Sequence, residues 1–218
     1  MIDSLDDLNH LPALLVTYES GSSGEFFGSA LCQSFDVFAK QSASWVGENR
    51  VLLQDFFGKR LASGDLKIDS HELLNEVNYQ LNQYPNTVRH IGLVHPRPQS
   101  SIDFVNQYMP NTPMIQIVCY KTLSKKFRTM AADAKLRPGQ GISSFCFTLP
   151  NEMAWADQFV NPVLKVEWGS LFLTNTESEF QRIANFVGHP GDIAVFRALL
   201  QEYLDKNKSL LVQCQVDQ

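Results

Sequence analysis

Leu11-Pro-Ala-Leu-Leu-Val-Thr-Tyr18 is an apolar run with no polar alternation, and that absence constrains the fold more than any other feature of the chain. A strand with one wet face alternates apolar and polar residues. A run that does not alternate must be covered on both faces, as strands of parallel sheets are. Pro113–Tyr120, with its dense Met-Ile-Gln-Ile-Val-Cys stretch, repeats the pattern, and Thr87–Val94 and Val163–Trp168 read as two further strands. Helical spacing fills the intervals. Phe27, Leu31, Phe35 and Phe38 follow the first strand at helical steps, and Leu73, Leu74, Val77 and Leu81 line one side of residues 70–84, with Ser70 or Asp69 as cap. Ser100–Met109 carries Ile102, Val105 and Tyr108 or Met109 in register. Lys121–Leu136 reads as a basic helix stopping at Pro138-Gly139, and Ser143–Leu149 as an edge strand. Thr176–Val187 and Asp192–Asn207 read as two helices separated by the breaker Gly188-His-Pro-Gly191. Strands alternating with helices predict an α/β fold, a mostly parallel central sheet flanked by helices on both faces. Right-handed crossovers and a ligand crevice at the carboxyl ends of the strands follow from that class. Residues 1–218 are expected to form one such domain, with a helical excursion over about 41–86 whose first part, Gln41–Asp69, shows no assignable pattern.

Composition narrows the function classes. Hydrophobic residues at 44% and charged residues at 19% suit a globular chain and exclude a disordered one. The formal charge is 18 − 23 = −5 with no basic run, which argues against a general nucleic-acid or anionic-membrane binder. The longest apolar stretches, such as Leu11–Val16, fall far below the roughly 20 residues of a membrane span. The opening Met-Ile-Asp-Ser-Leu-Asp-Asp is acidic where a signal peptide is basic. Cys32, Cys119, Cys146 and Cys214 are scattered, without a C-x-x-C pair or a close histidine. Neither a zinc site nor a disulfide framework is expected, and the chain reads as a reduced cytoplasmic protein that uses no metal.

The segment richest in chemistry is Tyr18-Glu-Ser-Gly-Ser-Ser-Gly-Glu-Phe-Phe-Gly28. A buried strand that enters a Gly/Ser turn and then a helix aims several backbone N–H groups at one point, where the helix dipole adds positive potential. Gly21 and Gly24 permit the tight backbone, and Ser20, Ser22 and Ser23 offer hydroxyl donors. Phosphate or sulfate is the expected guest. The nucleotide signatures G-x-x-x-x-G-K-[ST] and G-x-G-x-x-G are both absent, which disfavours a kinase, an ATPase or a dinucleotide enzyme. The competing account is purely local. Ser22-Ser-Gly-Glu25 fits a capping box, in which Glu25 is an internal anion that stabilises the helix by about 0.5–1 kcal/mol. Glu19 and Glu25 also flank the place for a guest, and like charges about 4–6 Å apart at an effective dielectric near 20 cost roughly 3–4 kcal/mol.

Three stretches in order resemble the P-loop sulfotransferase family, with a fit spanning about residues 11–206. Leu14-Leu-Val-Thr-Tyr-Glu-Ser-Gly-Ser-Ser-Gly24 with its helix is similar to the family's 5′-phosphosulfate-binding strand, loop and helix. His90-Ile-Gly-Leu-Val-His95, then Tyr108-Met-Pro-Asn-Thr-Pro-Met-Ile-Gln-Ile-Val118, resembles its strand ending in histidine, short helix and next strand. Val163-Leu-Lys-Val-Glu-Trp-Gly-Ser-Leu-Phe172 and Glu179-Phe-Gln-Arg-Ile-Ala-Asn-Phe-Val-Gly188 resemble its late strand and the helix after it. The resemblance implies sulfuryl transfer from 3′-phosphoadenosine 5′-phosphosulfate (PAPS) to a hydroxyl or amine of a small-molecule or glycan acceptor. Backbone N–H groups over Ser20, Gly21, Ser22, Ser23 and Gly24 would hold the phosphosulfate, with Glu25 either beside it or capping the helix. His95 would be the general base, its ordinary pKa near 6.5 suiting the task.

The remaining residues divide between this activity and an inactive alternative. His95 stands before Pro96-Arg97-Pro98 at the end of a parallel strand, where ligand residues concentrate, and Arg97 is the nearest cation to the turn. Lys121, Lys125, Lys126 and Arg128 offer further charge, or else form a solvated helix face. No lysine or arginine adjoins the turn itself, whose neighbours are Tyr18, Glu19 and Glu25. Cys119 or Tyr120 stands where the family's 3′-phosphate arginine is expected, and neither replaces a guanidinium. Those positions motivate the second hypothesis, a catalytically inactive member of the same fold acting as a structural or interaction subunit with protein partners, for example in a viral or multi-subunit assembly. Hydrolase chemistry by Ser20 and His95 is disfavoured, since no G-x-S-x-G elbow exists and no acid is placed to orient the base.

Overall fold

A computed structural model of the 218-residue chain describes residues 2–18, 23–39, 70–82, 88–94, 99–121, 125 and 155–216. Strands β1 (Ala13–Tyr18), β2 (His90–Val94), β3 (Met114–Val118) and β4 (Val163–Glu167) form one sheet in the order β2-β1-β3-β4, every pair parallel. The helices among the described residues are α1 (Gly24–Ser34), α2 (Ser70–Leu81), α3 (Gln99–Tyr108), α4 (Thr176–Val187), α5 (Ile193–Lys206) and α6 (Lys208–Val216). A 3-10 turn at Leu5–His10 precedes β1, and a π-helical turn at Ser170–Thr174 follows β4. Gln41–Asp69, the expected edge strand Ser143–Leu149 and most of the basic segment Lys121–Leu136 lie outside the described residues.

Every residue of β1, β2 and β3 is buried, as runs without polar alternation require. Successive side chains enter opposite cores. Leu14, Val16 and Tyr18 join Ile91, Leu93, Ile115 and Ile117 beneath α1, α4, α5 and α6. Ala13 and Leu15 join Val94 and Met114 against α2, α3 and the Trp155–Phe159 segment. The molecule is therefore a three-layer α/β structure with helices on both faces of a parallel sheet. No helix among the described residues is long and apolar enough to cross a membrane.

The late helices follow their sequence signals closely. Asp192 caps α5 by accepting from the N–H groups of Ala194 (2.9 Å) and Val195 (3.1 Å). Gly188 ends α4 with φ +71°, its N–H bonding Asn185 O and Ala184 O while His189 N–H also reaches Ala184 O, the glycine-terminated Schellman arrangement. The Arg89 guanidinium adds a 2.7 Å bond to the Val187 carbonyl at that negative helix end. α1 departs from expectation. Its helical spacing continues through Phe38, yet the helix stops at Ser34, because Phe35 is extended (φ −123°, ψ 121°) and Phe38 sits in a parallel bridge with Arg89. Phe35 still packs on Phe38 and on Phe180, at ring distances of 6.0 and 5.2 Å, so the periodicity had registered burial and not conformation.

Topology fixes where a ligand can sit. The chain leaves β1 into α1 on one face and reaches β2 after α2 on the other, and it leaves β2 for β3 by way of α3 on the same face as α2. The connections thus diverge at the carboxyl end of β1, the position at which open α/β sheets carry their crevice.

One polar pair lies buried on the α3 face. Thr17 and Gln116 are register partners; Gln116 Nε2 donates to Ala156 O at 2.9 Å, while Thr17 Oγ1 has no hydrogen-bond partner among the described residues. A buried hydroxyl without a partner costs about 1–3 kcal/mol. Thr17→Val, which keeps the shape and removes the hydroxyl, is expected to raise unfolding stability by about 1 kcal/mol in urea titration. A loss of stability would contradict the assignment.

Candidate functional site

Of the residues singled out above, Ser23, Gly24, Glu25 and Lys121 fall among the described residues, whereas Ser20, Gly21, Ser22, His95 and Arg97 fall outside them. The described residues hold the two ends of the turn. Its entry is Tyr18, 3% exposed, the last residue of β1. Its exit is Ser23, which is left-handed (φ 64°, ψ 21°) and is the cap residue of α1. For a residue with a Cβ that conformation costs about 1–2 kcal/mol.

Entry and exit meet directly. A Cβ built on Gly24 would lie 1.9–2.4 Å from three carbons of the Tyr18 ring, so only glycine can open α1 while that ring lies beneath it. Gly28, one turn later, faces Leu93 of β2 at 2.8 Å in the same construction. These two glycines let α1 settle on the sheet immediately after the turn.

Ser22, one partner of the expected capping box with Glu25, lies outside the described residues. The cap residue is Ser23, its side chain makes no capping bond, and Glu25 is the second helical residue where the box needs the third. Ser23 Oγ is engaged elsewhere: it accepts from Trp168 Nε1 at 3.1 Å and shares a 2.5 Å hydrogen bond with Tyr203 Oη. Trp168 follows β4, and Tyr203 lies in the last turns of α5. Rings fix both partners in place. Tyr203 stacks on Phe26 (4.3 Å, 11°), and Trp168 stacks on Phe172 (5.2 Å, 15°).

A left-handed residue followed by a right-handed one turns successive N–H groups toward a common point, a concavity suited to an anion. Ser23 and Gly24 have that sequence of conformations, at the amino end of an 11-residue helix. Two negative influences share the region. Glu25 is exposed and its carboxylate acts on both nearby phenols. Burial, assisted by that carboxylate, holds Tyr18 far above the ordinary tyrosine range; burial likewise raises Tyr203, with the Ser23 hydrogen bond opposing. Lys121 lies over the ends of β3 and β4, where its ammonium is 3.9 Å from Glu167 Oε2. That carboxylate oxygen also accepts from Ser170 N–H at 2.8 Å. The Lys121 charge is thus directed toward Glu167.

Tyr203 and Trp168 were not singled out by sequence reasoning as members of this site. They stand 180 and 145 residues from Ser23, and no local pattern ties a tyrosine near the end of α5 to a distant turn. Among the described residues no cluster of three or more His, Cys, Asp or Glu side chains is placed to hold a metal ion. A comparison with protein-family models finds no match, and neither does a comparison with curated proteins.

Two outcomes follow from this geometry. Gly24→Ala forces the buried Tyr18 ring to move, so thermal or urea unfolding should show a loss of about 1–3 kcal/mol despite alanine's better helix propensity. The phenols give a pH dependence. A tyrosine whose folded pKa lies above its unfolded value of 10.0 stabilises the fold fully below that pH, and the contribution declines as pH rises beyond it. Stability should therefore fall above about pH 10, and Tyr18→Phe should flatten that slope in alkaline denaturation.

Proposed function

We propose that this protein is a sulfotransferase-like enzyme that seats a phosphosulfate at the carboxyl end of β1 and transfers its sulfuryl group to a hydroxyl or amine acceptor. The observation that carries this reading is left-handed Ser23 leading into helical Gly24, at the point of the sheet where the connections diverge. Register adds support. Thr17 pairs with Val94, so the segment beginning at His95 leaves β2 at the level where the turn leaves β1.

In this reading PAPS is the donor and the backbone amides from Ser20 to Gly24 hold its 5′ group. The acceptor oxygen or nitrogen attacks sulfur, the bond from sulfur to the phosphate oxygen breaks, and the acceptor proton passes to His95. Adenosine 3′,5′-bisphosphate leaves. Such a transfer depends on positioning and on stabilising charge at the bridging oxygen, with Arg97 and Lys121 as the cations within this scheme.

A second reading has its own observation. Ser23 Oγ is turned to Trp168 and Tyr203, and Lys121 to Glu167, which suits a catalytically inactive member of the fold that serves as an interaction subunit. Calorimetry separates the two. Titration with PAPS or adenosine 3′,5′-bisphosphate should release heat and raise the melting temperature, and His95→Ala should keep binding while lowering transfer by about 10²–10⁴-fold. Absence of both heat and thermal shift at millimolar ligand would remove the enzyme reading and leave the second.

A further inference from the structure

Among the described residues, no side-chain hydrogen bond to its own helix holds Ser23 in the left-handed conformation. Serine is not a residue that favours positive φ. What does hold Ser23 comes from the far end of the chain: the Trp168 indole N–H and the Tyr203 hydroxyl, both on its Oγ. Neither is a loose rotor, because Tyr203 and Trp168 stack on Phe26 and Phe172, whose rings are themselves 5.7 Å apart. Four aromatic side chains from α1, the β4 exit and α5 thus form a fixed frame around one serine oxygen.

We propose that Tyr203 and Trp168 are positioning residues that hold Ser23 left-handed and thereby preset the amides at the start of α1. The importance of those amides for ligand rests on the anion-binding function proposed above; the clamp on Ser23 does not. Glycine tolerates positive φ without help, so the inference has a specific consequence. Ser23→Gly and Ser23→Ala both remove the clamped hydroxyl, so the backbone conformation is read from their difference: Ser23→Ala should weaken bisphosphate binding and lower the melting temperature about as Tyr203→Phe does, and Ser23→Gly should do neither.

The test compares Ser23→Ala and Ser23→Gly with Tyr203→Phe and Trp168→Phe, by melting temperature and by titration with adenosine 3′,5′-bisphosphate. Tyr203→Phe and Trp168→Phe should each lower the melting temperature by about 2–4 °C and weaken binding about three- to tenfold. Equal losses in Ser23→Ala and Ser23→Gly would overturn the inference, as would a melting difference with unchanged affinity. If the wild-type chain binds no bisphosphate, the sulfotransferase reading fails, while the melting comparison alone still decides whether the clamp holds Ser23.

Discussion

β1 is covered on both faces and paired on both edges, and the rest of the molecule is arranged around that confinement. Its side chains divide between two cores, and β2 and β3 take its two edges in parallel register. Each fully buried aliphatic side chain contributes on the order of 1.5–3 kcal/mol, and a one-residue slip would exchange every side chain between the cores. The strand's end point is therefore fixed. The helix after it must begin within a few residues and lie close to the sheet, and that requirement explains the two glycines. Gly24 admits the Tyr18 ring and Gly28 admits Leu93.

The elements that sequence reasoning placed well are those whose boundaries carry their own chemistry. α4 matches Thr176–Val187 end for end and α5 differs by one residue at each end, because a Schellman glycine and an aspartate cap act locally. The strands appear within the expected segments because burial on both faces leaves an unbroken apolar run. β2 begins at His90 where the expectation began at Thr87. Phe35 and Phe38 are different. They keep helical spacing while the backbone has become extended, since a core accepts a side chain from whichever backbone delivers it.

The site was legible as composition and topology but not as geometry. A Gly/Ser segment between a buried strand and a helix marks the candidate site, and the strand order places the end of β1 at the divergence of the connections. Which residue adopts positive φ was not readable. Glycines are the usual candidates, and among the described residues at this helix start it is Ser23, whose hydroxyl a tryptophan and a tyrosine from distant elements share. Hydrogen bonds spanning 145 and 180 residues leave no mark on local sequence, only on the fold.

Glu25 sets the remaining energetic question. As the second residue of α1 it places a carboxylate against the positive end of the helix, a stabilisation of about 0.3–1 kcal/mol when exposed. An external anion on the same amides would draw on the same potential and meet that carboxylate. At about 5 Å and an effective dielectric near 20 the repulsion is roughly 3 kcal/mol per unit of guest charge, comparable to what two or three charge-assisted hydrogen bonds return after desolvation is counted. Glu25 is exposed, however, so water and salt screen the repulsion well below that bound. The balance between a self-capped helix and a guest-binding one thus turns on amide geometry, which does not move with salt. Ser23 is left-handed at that helix start, with its hydroxyl bonded from α5 and from the end of β4.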